Sequence, residues 1–209
     1  LDNALEQVDR FVQGRNGVAH KVYFVNVHSI QLAQKDPELK RCIREADLVL
    51  ADGSGLRIAA RTLWNTLLEN LNGTDFTPLV LRTAYRYGWS VYLLGAKPGI
   101  VEKCSGSLQN QYPGLNIAGM HHGYFKTEQE ARIIDDINRV KPDILLVAMG
   151  SPIQEKWIDH YAEHLDVAAA FAVGGLFDFL SGEVDRAPIW MRKWGIEWMH
   201  RFIRNPGKK

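Results

Sequence analysis

Asp52 is the ionisable residue best placed to do chemistry. It closes the apolar run Asp47-Leu48-Val49-Leu50-Ala51 and opens the turn Asp52-Gly53-Ser54-Gly55, so its carboxylate falls at a strand end, partly desolvated, where a general base is useful. The same position suits an aspartate that caps the next helix through its N–H groups, worth about 1 kcal/mol, and spacing does not separate the two. Gln154-Glu155 has a similar double reading: an amide and a carboxylate that bind sugar hydroxyls, or a polar first turn favoured by the helix dipole. Asn26-Val27-His28-Ser29, Gly95-Ala96-Lys97-Pro98-Gly99, Met149-Gly150-Ser151-Pro152 and Gly174-Gly175 follow other apolar runs. Glycine lets a backbone approach a ligand closely, and helix N-termini after such turns offer N–H groups to phosphate. Five such loops together point to a nucleotide or sugar-phosphate crevice. The dinucleotide fingerprint G-x-G-x-x-G is absent, which disfavours an NAD site.

The elements that must position these loops are legible as an alternation. Lys21–Val25, Asp47–Ala51, Ser90–Leu94, Ile144–Ala148 and Ala169–Val173 read as buried strands, with a weaker one at Asn116–Ala118. Segments of helical length and period lie between them, at about 30–45, 54–68, 75–87, 99–112, 127–140 and 153–164. Repeated βαβα implies an α/β, Rossmann-like fold: a mostly parallel sheet with helices on both faces. Ligands in such sheets sit outside the carboxyl ends of the strands, which is where the polar loops fall.

The last part of the chain differs. Residues 1–182 read as the α/β core and 183–209 as a basic, Trp-rich helical appendage. Trp190, Trp194 and Trp198 are spaced by four and share a helical side with Met191 and Phe202, while Lys193, His200, Arg201 and Arg204 gather opposite. From Arg186 onward there are seven Lys/Arg and one acid, Glu197, in a chain whose formal net charge is +1. Interfacial tryptophan beside clustered cations suits an anionic membrane surface; an amphipathic helix packed on the domain is the plainer reading. A chain of 209 residues, 46% hydrophobic and 23% charged, is an ordinary globular composition, and balanced charge gives no footprint for nucleic acid. No apolar run reaches 18 residues and no signal peptide opens the chain. Cys42 and Cys104 form no C-x-x-C pair, and His28, His121 and His122 lack a metal-like partner at helical spacing, so no metal is expected. The chain opens at Leu1 without Met and reads as a piece of a longer protein that could hold a membrane anchor.

Set side by side, these stretches resemble the WecG/TagA/CpsF glycosyltransferases, family 26. The resemblance is carried by Asn26 with residues 33–39, by 46–55 around Asp52, by Asn72-Gly73-Thr74-Asp75, Gly123-Tyr124-Phe125 and Pro142-Asp143. It continues through 150–157, Val173-Gly174-Gly175 with Phe177-Asp178, and Arg186-Ala187-Pro188 with Glu197, Trp198 and Arg201. It implies an inverting enzyme, peripheral on the cytoplasmic face of the bacterial inner membrane. Such an enzyme moves a sugar from a UDP-sugar onto a sugar already linked to polyprenyl diphosphate, in teichoic acid, common antigen or exopolysaccharide synthesis. In that reading Asp52 is the base, and Asn26, Gly53, Asn72, Asp75, Gly150, Gln154, Glu155, Gly174 and Gly175 line the substrate pocket. Arg186, Arg192 and Arg201 give the diphosphate its counter-charge without metal or other cofactor. Two positions depart from the family pattern: Asn70 stands where many relatives have Arg, and Phe24 where several have Thr. The alternative is a noncatalytic polyprenyl-diphosphate-binding module of a longer biosynthetic protein; the oligomeric state stays open, a homo-oligomer included.

Overall fold

In the computed structural model, residues 1–65, 69, 71–185 and 191 are described. Six parallel strands form one sheet: β1 (His20–Val25), β2 (Leu48–Ala51), β3 (Ser90–Gly95), β4 (Asn116–His121), β5 (Ile144–Ala148) and β6 (Ala169–Ala172), in the spatial order β2-β1-β6-β5-β3-β4. The helices are α1 (Asp2–Gln13), α2 (Val27–Lys35), α3 (Pro37–Arg44), α4 (Ser54–Trp64), α5 (Gly73–Tyr87), α6 (Ile100–Gln111), α7 (Thr127–Val140), α8 (Ile153–Tyr161) and α9 (Leu176–Leu180). Central strands β5 and β6 are buried along their whole length, whereas edge strands β2 and β4 are partly exposed. Continuous apolar runs in the middle of the sheet follow from helices covering both faces.

Successive side chains of a strand point to opposite faces, and the core divides accordingly. Val22, Phe24, Leu93, Leu146 and Phe171 share a cluster with Val8 and Phe11 of α1, Phe76 and Val80 of α5, Leu108 of α6 and Leu176 of α9. Tyr23, Val25, Tyr92, Val147 and Ala170 pack instead with Cys42 of α3, Ile133 and Ile137 of α7 and Trp157 and Ile158 of α8. Lys21 and Arg41 both reach Asp159, at 2.7 and 2.6 Å, which ties β1, α3 and α8 together.

Three differences from the sequence reading have local causes. The single helix expected over 30–45 is two, because Pro37 lacks an N–H and serves at the start of a new helix; Asp36 accepts the Leu39 N–H at 3.1 Å and caps it. The strand expected at 116–118 runs on to His121. Helix α1 was not expected; Ala4, Val8 and Phe11 are its buried stripe, at the i, i+4, i+7 spacing of an amphipathic helix.

Candidate functional site

The sheet order places the loops after β2, β1, β6 and β5 side by side, and backbone hydrogen bonds join them. The Asp52 N–H donates to the Val25 carbonyl at 2.8 Å, at the end of β1. Leu71 returns to donate to Ala51 at 2.9 Å, which sets the Asn72 turn next to Asp52. Val173 donates to Val147 at 2.9 Å, and Ala96 to Ala148 at 2.8 Å. With strands roughly 4.8 Å apart, Asp52 and the Gly174 turn, two strands away, are separated by roughly 10 Å.

Asp52 is partly buried at this rim. The N-cap of α4 is Gly53, one residue on, at φ +93°; Gly150 and Gly174 also have positive φ, +80° and +57°, and at each of the three the place of a Cβ is open space. These are conformations that favour glycine, so three strand-end turns present bare backbone. At Gly95 the reason is contact: a Cβ would lie 2.4 Å from the Ala148 carbonyl oxygen.

Asn26 caps α2: its Oδ1 accepts from the Ser29 N–H at 2.9 Å and from Ser29 Oγ at 3.2 Å. Asn72 caps α5 through the Asp75 N–H at 2.9 Å, and its own amide donates to Asp75 Oδ2 at 2.8 Å. Gln154 is 4% exposed. Its Oε1 accepts from the N–H groups of Gly150 at 3.2 Å and Gly174 at 2.9 Å, so one buried amide clasps the β5 and β6 loops. Its Nε2 donates to Glu155 Oε1 at 3.0 Å. Glu155 is 2% exposed; burial raises its carboxyl above the ordinary glutamate range, opposed by the hydrogen bond from Gln154. Ser151 Oγ lies within electrostatic reach of that carboxyl but outside hydrogen-bond geometry. Gly175 is the N-cap of α9.

Asp52, Gly53, Asn26, Asn72, Asp75, Gly150, Gln154, Glu155, Gly174 and Gly175 therefore all come to one end of the sheet, with Asn26, Asn72, Gln154 and Glu155 engaged in holding the loops. Arg186, Arg192, Arg201 and the three tail tryptophans lie outside the described residues, as does Asn70. Of residues 186–209, Met191 alone is described, and it is buried. Phe24 is a core residue under the site: its ring meets Phe76 edge-on at 6.1 Å, and a Cβ on Gly73 would lie 3.4 Å from it.

Sequence reasoning missed Arg57, which lines a hollow of about 520 Å³ with Asp75, Glu69, Leu71, Phe76 and Leu79 beside the Asn72 turn. Its signal was its place one helical turn beyond Gly53. A second hollow, of about 560 Å³, lies along α7 by edge strand β4, lined by His121, Gln129, Arg132 and Asp136, away from Asp52. Among the described residues no group of three or more His, Cys, Asp or Glu could hold a metal ion.

The model of the "Glycosyl transferase WecG/TagA/CpsF family" matches residues 1–209. The chain belongs to that family. It is 32% identical over 182 residues, 87% of its length, to the N-acetylglucosaminyldiphosphoundecaprenol N-acetyl-beta-D-mannosaminyltransferase of Bacillus subtilis, of which the match covers 70%. To the protein of the same name from Staphylococcus aureus it is 35% identical over 161 residues, 77% of this chain and 63% of that one. Among the described residues of this family member no helix is long and apolar enough to cross a membrane.

Proposed function

We propose that this protein is an inverting glycosyltransferase that moves a sugar from a UDP-sugar onto a sugar carried by polyprenyl diphosphate. The observation that carries the reading is the partly buried carboxylate of Asp52 at a rim of four neighbouring strand-end loops, in a chain of the WecG/TagA/CpsF family. The relatives' names, which specify N-acetylmannosamine transfer to an N-acetylglucosaminyl-diphosphoundecaprenol, support an acceptor of that class and a hexosamine-type donor.

In the reaction Asp52 takes the proton of the acceptor hydroxyl as its oxygen attacks the anomeric carbon from the face opposite the leaving group. The bond from that carbon to the diphosphate oxygen breaks, and UDP departs with the electron pair. Attack from the opposite face inverts the anomeric centre. The positive-φ turns at Gly53, Gly150 and Gly174 supply backbone to the substrates, while Asn26, Asn72 and the Gln154–Glu155 pair fix where those turns lie. Arg186, Arg192 and Arg201 are assigned to the diphosphate, with guanidinium groups in the place a metal takes in other glycosyltransferases. The protein works as a peripheral enzyme on the cytoplasmic face of the membrane that holds its acceptor.

The test is Asp52→Asn. Loss of the base should cut turnover by roughly 10² to 10⁴, the usual contribution of a positioned acid or base, with the melting temperature little changed. An Asn variant with near-wild-type turnover at saturating substrates would make Asp52 a structural residue only. Thermal shift with a panel of UDP-sugars names the donor, because a ligand bound only by the folded state raises the melting temperature. Turnover should survive excess chelator; loss restored by magnesium or manganese would overturn the metal-independent form of the reading.

A further inference from the structure

Helix α4 makes no crossing of the sheet. The chain leaves β2 at Asp52, forms α4, and is back beside β2 at Leu71, whose N–H donates to the Ala51 carbonyl. The crossing to β3 is made by α5. The excursion thus begins and ends at the end of the sheet where Asp52 stands. Along α4, Arg57, Ile58, Arg61, Thr62 and Leu63 are exposed and Ala60 is buried. Ile58 and Leu63 are 66% and 67% exposed, and the helix contains two arginines and no acid. Val27 and Ile30 of α2 and Ile153 at the start of α8 are exposed as well. Helices α2 and α4 meet at their first turns, where a Cβ on Gly55 would lie 2.7 Å from Val27 Cγ2. Aliphatic side chains standing in solvent beside the arginines of a helix that has no acid of its own suit a bilayer interface: the first enter the acyl boundary and the second meet anionic headgroups.

We propose that α4, together with the exposed aliphatic side chains of α2 that adjoin it, is a membrane-contacting element that seats the Asp52 end of the sheet on an anionic bilayer, in addition to the tail. The inference rests on the glycosyltransfer reading and deepens it. An acceptor sugar fixed to a polyprenyl lipid offers its hydroxyl only at the bilayer surface, so the loops that receive it must face that surface.

Cosedimentation of the full chain with vesicles of phosphatidylglycerol and phosphatidylcholine, and with phosphatidylcholine alone, tests it. The wild type should bind the anionic vesicles, with an affinity that falls as salt screens charge over about 10 Å at 0.1 M. Ile58→Glu/Leu63→Glu and, separately, Arg61→Glu should each bind at least tenfold more weakly while melting cooperatively near the wild-type temperature. The aliphatic double variant should keep wild-type turnover on a short-chain, water-soluble acceptor and lose it on a polyprenyl acceptor embedded in vesicles. Should it melt early, Ile58→Asn carries the same comparison. Unchanged vesicle binding in both variants overturns the proposal. Equal loss on both acceptors overturns it too, since the patch would then belong to the pocket. So does a fall in particle mass by light scattering with vesicle binding intact, which would make the patch a contact between copies. If wild type turned over neither acceptor, the glycosyltransfer reading would fall while the vesicle comparison still decided this one.

Discussion

Glu155 shows how a single carboxyl is shaped by its place. Folding removes it from water almost completely, and that burial raises its pKa while the Gln154 amide pulls the other way. A carboxyl whose folded pKa exceeds its unfolded value, about 4.3, contributes stability that is fully present below the unfolded pKa and is lost as pH rises through the folded one. The wild type should therefore lose stability above about pH 4 with a slope of at most about 1.4 kcal/mol per pH unit for this group. Glu155→Gln, which does not titrate, should flatten that decline. Urea unfolding of the two proteins across the range measures it, and parallel profiles would mean that Glu155 folds already ionised. Asp52, three strands away across the rim, differs in that it is only partly buried, which suits the proposed role of a base that meets an acceptor hydroxyl.

Between elements, the loops of the site are held by side chains that take up backbone N–H groups. The Gln154 amide is the clearest case, since its oxygen takes N–H groups from the β5 and β6 loops together. Gln154→Ala leaves two backbone donors without this acceptor, and losing a buried partner costs about 1–3 kcal/mol. The variant should be less stable by that amount in chemical denaturation and should also turn over more slowly, because the Gly150 and Gly174 turns are then free to part. Wild-type turnover in a destabilised Gln154→Ala protein would show that the clasp serves stability alone. At the other flank Asn72 caps α5, and Asn72→Ala should cost about 0.5–2 kcal/mol by chemical denaturation. A loss well under that range would mean that the Leu71 and Ala51 backbone bond holds the turn unaided.

For the whole molecule, the six-stranded sheet is complete at Ala172 of β6, ahead of the tail. Among the described residues the buried members of both core clusters lie within residues 4–177, so a protein ending at residue 186 should melt cooperatively. It should lose transfer to a lipid-linked acceptor and bind anionic vesicles at least tenfold more weakly, retaining the part due to α4. The buried Met191 gives the opposing forecast its footing: if the tail completes the core, truncation exposes apolar surface and the protein aggregates or unfolds on heating. A truncated protein that sediments with vesicles as well as the intact one would remove the tail from membrane binding.

Periodicity in the sequence was enough to locate all six strands and to require a parallel sheet, because a run such as Ile144–Ala148, apolar at every position, has to be covered on both faces. It also put Asp52, Asn26, Gln154 and Gly174 at strand ends, hence at one end of the sheet, since parallel strands all finish on the same side. It could not give the strand order β2-β1-β6-β5-β3-β4, which depends on how the helices pack and which alone makes the four site loops neighbours. Nor could it tell a ligand contact from a structural one. Asn26 and Asn72 read as pocket residues and are also helix caps, and Glu155, read as a sugar ligand, is buried and accepts a hydrogen bond from Gln154. A polar side chain at a strand end can turn toward solvent or toward an unpaired backbone N–H of its own loop, and only the three-dimensional placement of those N–H groups decides which.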